Sequence, residues 1–296
     1  MPMRSNLPLA LAKRAEIIRA VRNFFDRQGF IEVETPSSII APAPEEYIDC
    51  PLVAFRDGHR EFLRASPELQ MKKLLALGME RIYQIGPCFR EGERGSRHNP
   101  EFTMLEWYRK GATYEDLKND LSTLIPLLPY SDNFKEPFKT ISVRDAYASF
   151  ALWDPWIHWD RDKFDFDMAT KIEPAIKEMG GGVFLTDYPP EAASLAETSP
   201  LDNSSLKKAS RWEFYLNGIE IANAFSELCD KAEQTRRFEE SRKLRQQIGE
   251  ADYPIDYEFL DILPSMGKAS GAALGIDRLI MALLDADDIS SVRAQP

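Results

Sequence analysis

The chain is short of cysteine, of basic charge and of long apolar runs, and each shortage closes a class of explanation. Three cysteines in 296 residues, Cys50, Cys88 and Cys229, are too few and too scattered for a disulfide framework or a zinc cluster. They read as small buried hydrophobes in a reducing cytosol. No apolar run reaches about 18 residues, and the opening MPMRSNLPLALAKRAEIIRA acquires charge too early for a signal peptide. A soluble cytoplasmic protein without a membrane segment is expected. The 37 Lys and Arg are outnumbered by 48 Asp and Glu, and the net charge of -11 opposes nonspecific binding to a phosphate polyanion. No repeat, low-complexity linker or sharp change of composition divides the chain. What it does have is a 44% share of hydrophobic residues, enough at this length for a full core.

Local patterns supply the elements. After Pro8, residues 9 to 28 place Leu11, Ile18, Val21 and Phe25 at helical spacing, and Gly29 ends the helix. FIEVETP then reads as a strand closed by Pro36, and SPELQMKKLLALG as a short helix with Ser66 at its N-cap, Pro67 at the first position and Glu68 in the first turn. RIYQIGPCFRE and EFTMLEWYRKG read as two strands joined by a charged loop. YEDLKNDLSTLIPLL is a further helix, residues 141 to 180 a variable helical segment, and GGVFLTDYP and RWEFYLNGIEIANAF further strands. Residues 230 to 249 form a charged helix, and GKASGAALGIDRLIMALLDA is a glycine-rich strand running into a helix. Hairpin-connected strands with interspersed helices predict an α+β fold around a mainly antiparallel sheet, as one domain over 1–296.

The chemistry concentrates in FREGERGSRHNPEFTMLEWYR, residues 89 to 109. Activating a carboxylic acid with ATP requires charge to be neutralised at the α-phosphate, the outer phosphates to be gripped, the base to be held and the carboxylate to be presented for in-line attack. Arg90 suits the first task, because its planar fork can address phosphate and carboxylate together. Arg97 and His98 lie in the loop where outer phosphates would be met, and Phe102 can stack on adenine. Taken alone, the same hairpin also reads as a solvated charged loop with Phe102 in the core. GAALGIDR is neither a Walker sequence nor GxGxxG. Its glycines allow close ligand approach, and Arg278 at the start of the next helix can offer a second guanidinium to phosphate. Glu213 and Glu220 flank a turn at Asn217 and Gly218, so they can meet across a hairpin and hold Mg2+, or stand as exposed strand carboxylates.

Together these segments resemble the three signature motifs of the class II aminoacyl-tRNA synthetases. The first helix with FIEVETP is similar to motif 1, FRE…RHNPEF to motif 2 and GAALGIDR to motif 3. SPEL, RHNPEFTMLEWY, YPPEAASLA and EIANAFSEL occur in the order of the lysyl branch, so the resemblance spans about residues 10 to 290. It implies the class II catalytic fold and a homodimer built partly through motif 1 around Pro36. For ATP it implies Arg90, Glu91, Gly92, Arg97, His98, Asn99, Phe102, Glu220, Ile221, Gly275 and Arg278, with Arg90 and Arg278 catalytic. Arg90 would bridge the substrate carboxylate and the α-phosphate. For the amino acid it implies Ser66, Pro67, Glu68, Glu106, Tyr108, Asn223, Phe225, Glu227 and Ala273. Glu68 would receive the α- or β-amino group, and Glu106, Tyr108 and Glu227 the terminal ammonium.

The catalytic motif begins within thirty residues of Met1, leaving no room for an N-terminal OB-fold, so no anticodon binding is expected. The stand-alone members of the branch activate β-lysine as an adenylate and pass it to a lysine side chain of elongation factor P. Ser66 and Ala273, in place of alanine and glycine in lysyl-tRNA synthetases, resemble that kind. An α-lysine-activating truncated synthetase and a catalytically silent lysine- or ATP-binding regulator are the alternatives. The pattern departs in three places, one of them the C-terminal SSVRAQP, which lacks the usual hydrophobic ending. Gly92 stands where motif 2 usually has glutamate, between Glu91 and Glu93, and Ala224 stands where relatives have glycine.

Overall fold

Hydrophobic spacing places the first helix, α1 (Leu7–Arg27), whose buried face is Ile17, Val21, Phe24 and Phe25. Leu11 and Ile18, expected on that face, lie at its margins, only half-buried. Gly29 takes a left-handed φ of 77°, and the chain turns there into β1 (Ile31–Glu32). The strand expected over FIEVETP is only these two residues. Beyond Glu32 the backbone is held by side chains instead: Thr35 N donates to Gln84 Oε1, and the buried Arg64 guanidinium donates to the carbonyls of Thr35 and Pro36.

A computed structural model describes residues 6–201 and 205–294. Along them follow β2 (Ser38–Ile39), β3 (Leu52–Ala54), β4 (Arg60–Leu63), α2 (Glu68–Ala76), β5 (Arg81–Phe89) and β6 (Glu101–Lys110). Then come α3 (Tyr114–Leu127), β7 (Lys139–Ser142), α4 (Val143–Ala146), α5 (Arg161–Asp167), α6 (Glu173–Met179), β8 (Gly182–Tyr188) and β9 (Thr198–Pro200). The chain continues through β10 (Lys207–Leu216), β11 (Ile219–Ser226), α7 (Lys231–Ile248), α8 (Tyr257–Met266), β12 (Ala269–Gly275) and α9 (Ile276–Leu284). The segment expected to be helical over 141 to 180 therefore opens on a strand; β3 falls within residues 52 to 56, where the sequence allows a strand in an otherwise loop-like stretch, whereas β2, β4 and α8 have no counterpart in the sequence patterns.

The main sheet has nine strands, ordered β1-β5-β6-β12-β11-β10-β8-β7 with β9 beside β10. Only the edge pairs β1–β5 and β7–β8 are parallel; the others are antiparallel. One face carries α1, α3 and α9 over a core that includes Phe25, Trp107, Trp212 and Ala224. On the other face α2, α7 and α8 pack a second cluster around Leu75, Phe238 and Leu260, and α4 to α6 cover the far edge around Tyr147. The α+β class and the mainly antiparallel sheet hold as read from the sequence. Among the described residues no helix is long and apolar enough to cross a membrane.

The site-bearing end of β12 is fixed by Asp277, which is 2% exposed. Its carboxylate accepts from Arg14 of α1 at 2.5 Å, from Thr103 N of β6 at 2.8 Å and from Arg293 at 2.9 Å. Removing one partner of a buried ionic network leaves the others uncompensated, at about 3 kcal/mol or more. Asp277→Asn is expected to lower the unfolding free energy by about that amount in urea titration; a change within ~0.5 kcal/mol would show the network to be dispensable.

Candidate active site

The hairpin β5–β6 and strands β10 to β12 form the floor of a cavity of about 660 Å³, walled by residues 44–48 and by α5. Its two ends differ in chemistry. Toward α2 lie Ser66, Glu68, Glu106, Tyr108, Asn223 and Ala273; toward α9 lie Arg90, Arg97, His98, Phe102, Glu220 and Arg278. Residues from five stretches of sequence thus meet because the sheet order places β6, β12 and β11 side by side.

At the first end Glu106 is 1% exposed and pinned from two sides. Ser66 Oγ donates to its Oε1 at 2.6 Å and Tyr108 Oη to its Oε2 at 2.8 Å. Ser66 Oγ also accepts from Glu68 N at 3.0 Å, which closes the first turn of α2. Below the floor Glu227 is paired with Lys72 Nζ at 2.5 Å, and Lys72 also binds Glu68. Glu227 Oε1 has no hydrogen-bond partner among the described residues. A Cβ on Gly271 would lie 2.1 Å from the Tyr108 ring and 2.5 Å from Glu227 Oε1, so only glycine leaves these two groups room.

Three carboxylates thus surround one ammonium. Burial, reinforced by the Glu68 charge, pushes Glu106 up to about 7. Burial also pushes Glu227 up, with Glu68 and Glu106 adding to it against the pull of Lys72. Burial alone would pull Lys72 down, but Glu227 and Glu68 overturn this and hold it above the usual lysine range. The cluster is short of positive charge. A ligand ammonium entering beside Glu106 and Glu68 would supply it.

At the second end the Arg90 guanidinium lies 5.2 Å from the Phe102 ring centre, and its NH1 is 3.5 Å from Glu93. Its buried Nε has no partner among the described residues. Arg278 donates to the Glu220 carbonyl at 3.2 Å, to Glu220 Oε2 at 3.3 Å and to His98 Nε2. His98 is held below the usual histidine range by burial and then by Arg278, which suits a neutral, accepting ring. Asn99 turns its amide to the Glu101 carbonyl at 2.7 Å and still lines the cavity. A Cβ on Gly275 would come no closer than 3.9 Å to Arg278 and the Ile221 carbonyl, so nothing in the protein itself demands glycine there.

Four expected residues lie outside the cavity lining: Glu227, beneath its floor, and three more. Glu91 and Gly92 are exposed outside the cavity lining, and the carboxylate that does reach it is Glu93. Gly92 has φ 79°, so the turn needs the left-handed conformation that a glutamate would adopt only with strain. Pro67 is buried at the start of α2, behind the cavity wall. Ala224 faces the core on the other side of the sheet, opposite Ala272, and leaves the pocket untouched. The reading of the sequence missed Lys72, which follows Glu68 by one helical turn, and Arg211, which lines the cavity beside Glu213.

Glu213 does not face Glu220 directly. A register shift after Phe214 sets Glu213 opposite Asn223 and Glu220 opposite Tyr215, so the two carboxylates are diagonal neighbours. Glu213 accepts from Arg211 at 2.6 Å and Tyr215 at 2.7 Å. Burial, then the Glu213 charge, pushes Glu220 up to about 7, which marks a pair that a cation would relieve. Among the described residues no group of three or more His, Cys, Asp or Glu gathers for a metal. The pair therefore fits Mg2+ held by one or two carboxylates together with phosphate oxygens, and not an all-protein cage.

The profile of the tRNA synthetases class II (D, K and N) matches residues 1–296. The chain belongs to this class II synthetase family. A Vibrio cholerae protein named elongation factor P (R)-β-lysine ligase is 35% identical to it over 310 residues, covering 97% of this chain and 94% of that one. Proteins of the same name from Photorhabdus laumondii and Pectobacterium atrosepticum are 36% and 37% identical, each covering 96% of this chain and 94% of their own.

Because Glu106 titrates higher in the folded than in the unfolded chain, its contribution to stability is present below about pH 4.5 and is lost as pH rises through about 7. Glu106→Gln is expected to flatten the fall in unfolding free energy over that window by up to about 3 kcal/mol, read by urea titration at successive pH values. Parallel curves for the two proteins would remove Glu106 as the titrating group. Gly271→Ala is expected to lower the unfolding free energy in urea titration, since the Tyr108 ring must leave its place; an unchanged midpoint would show room for the methyl.

Proposed function

We propose that the protein is an ATP-dependent, AMP-forming ligase that activates (R)-β-lysine as an adenylate and transfers it to a lysine side chain of elongation factor P. The observation that carries the reading is the buried cluster of three carboxylates around one ammonium, at the opposite end of one cavity from Arg90 and Arg278. Such a cavity accepts a molecule with a cation at one end and a carboxylate at the other. The names of the relatives supply the acceptor and the β-amino acid.

In this reading Glu106 and Tyr108 receive the terminal ammonium, with Glu227 behind them, and Glu68 takes the β-amino group. Asn223 and Phe225 shape the wall between. Ala273 lies opposite both Glu106 and Asn223 in the sheet, so its methyl narrows the pocket beside the amino acid. That favours β- over α-lysine, because the shifted amino group needs a reshaped pocket. The substrate carboxylate attacks the α-phosphorus of ATP, and the bond to the pyrophosphate oxygen breaks. The carboxylate is already a nucleophile, so no base is needed. Arg90 spans carboxylate and α-phosphate and meets the charge that gathers there; Phe102 holds adenine; Arg97, His98 and Arg278 meet the outer phosphates. Ile221 and Gly275 border the nucleotide, and Mg2+ held by Glu213 and Glu220 would withdraw charge from the phosphates. The described residues act as one catalytic unit, as a cytoplasmic homodimer joined in part around Pro36, without anticodon recognition.

With ATP, Mg2+, (R)-β-lysine and unmodified elongation factor P, the purified protein is expected to raise the mass of the factor by one β-lysyl group. No mass gain overturns the reading. Equal or faster pyrophosphate exchange with α-lysine would assign an α-lysine-activating enzyme, and no exchange at all a silent binding paralogue. Arg90→Ala is expected to reduce exchange by about 10²-fold or more.

A further inference from the structure

Residues 44–48 contribute one wall of the cavity, and nothing in the adenylation step uses them. They are held with unusual thoroughness. Arg245 of α7 is fully buried, with 0% exposure, and donates to the carbonyls of Glu45 at 2.7 Å, Glu46 at 3.4 Å and Ile48 at 3.1 Å, and to Asp49 at 2.5 Å. Its guanidinium lies 4.3 Å from the centre of the Tyr253 ring, and the Tyr253 hydroxyl accepts from Cys50 N at 2.7 Å and donates to Asp49 at 3.2 Å. A second tie runs from Glu46 to Arg161 on α5, across the cavity mouth. The segment is therefore rigid at its root, although Tyr47 at its crest is 66% exposed.

This frame fixes Glu45. Glu45 lines the cavity together with Glu68, Arg90 and Arg211, and its carboxyl lies in the field of these charges and of Lys72. Glu68 marks where the inner amino group of the substrate sits, and Arg90 where carboxylate and phosphate meet. In the proposed reading the carbonyl of the adenylate lies between those two, in the cavity that Glu45 also lines. Glu45 stands on the wall that reaches solvent through Tyr47, the side from which a protein's lysine can enter.

We propose that Glu45 is the general base of the transfer step, taking a proton from the acceptor ammonium before it attacks the adenylate. The inference rests on the ligase reading given above. The acceptor arrives as an ammonium, which has no lone pair. One proton passes to the Glu45 carboxylate; the freed lone pair forms the C–N bond; the C–O bond to AMP breaks with its electrons on phosphate; and the second nitrogen proton leaves with that phosphate. Burial, and then the Glu68 charge, hold Glu45 above the usual glutamate range, which makes it a better proton acceptor near neutral pH than a solvated carboxylate. Arg245 acts as a positioning residue, through the backbone of residues 45–49.

The test uses enzyme-bound β-lysyl adenylate in single turnover, with unmodified elongation factor P or with hydroxylamine as the acceptor. Hydroxylamine is neutral at pH 7 and needs no base. For Glu45→Gln the loss in transfer to the factor is expected to exceed the loss in pyrophosphate exchange at least ten-fold, while adenylate cleavage by hydroxylamine stays within three-fold of wild type. The acid limb of the wild-type transfer rate is expected to vanish in the variant. Equal losses in exchange, factor transfer and hydroxylamine cleavage would assign Glu45 a structural part and overturn the proposal. If wild-type enzyme forms no adenylate or transfers nothing, the ligase reading fails instead.

Discussion

The arrangement of the cavity depends on a mismatch of buried charge. Glu68, Glu106 and Glu227 converge where Lys72 is the only cation at hand among the described residues, and the sheet keeps them there by packing Tyr108 against a glycine. A protein interior tolerates this only if protons or a ligand make up the difference. Without ligand, the raised affinity of Glu106 and Glu227 for protons does so. A diamino acid would do it better, with its second charge held where the nitrogen's own hydrogen bonds can be met. Recognition here follows from electroneutrality first and from shape second.

The β5–β6 hairpin converts that local constraint into chemistry. Glu106 and Tyr108 stand on the same strand as Phe102, and Arg90 follows the end of the partner strand. On the proposed reading, the distance from ammonium to reacting carboxylate is set by strand geometry, among the stiffest rulers a protein offers. The antiparallel neighbours β12 and β11 add Ala273, Asn223 and Glu220 in fixed register.

Most of this was legible in the sequence where side chains act from regular elements. The strands of the hairpin, the glycine-rich strand into α9 and the turn at Asn217 and Gly218 all lie where alternation and turn residues placed them, with both turn residues at positive φ. What escaped was set by partners far along the chain. Lys72 looks like one more lysine on an amphipathic helix until Glu227, 155 positions later, lies against it. The shortness of β1 follows from Arg64 and Gln84 capturing the backbone that a longer strand would have used. Gly92 looked like a missing carboxylate, and proves to be a backbone requirement with Glu93 beside it. The register shift after Phe214 has no mark in WEFYLNGIE, and it decides that Glu213 and Glu220 meet diagonally.

The bonds that Arg278 makes to His98 and Glu220 carry a kinetic meaning. The guanidinium is not waiting in solvent; it is already engaged, so an incoming polyphosphate must displace protein acceptors in order to be gripped. His98 lies in the loop between β5 and β6, and releasing it frees that loop to move as the phosphate takes its place. On the proposed reading, phosphate would thus arrive on the same hairpin that carries Glu106. The hairpin would then serve as a lever whose short arm is touched by the nucleotide and whose long arm holds the amine.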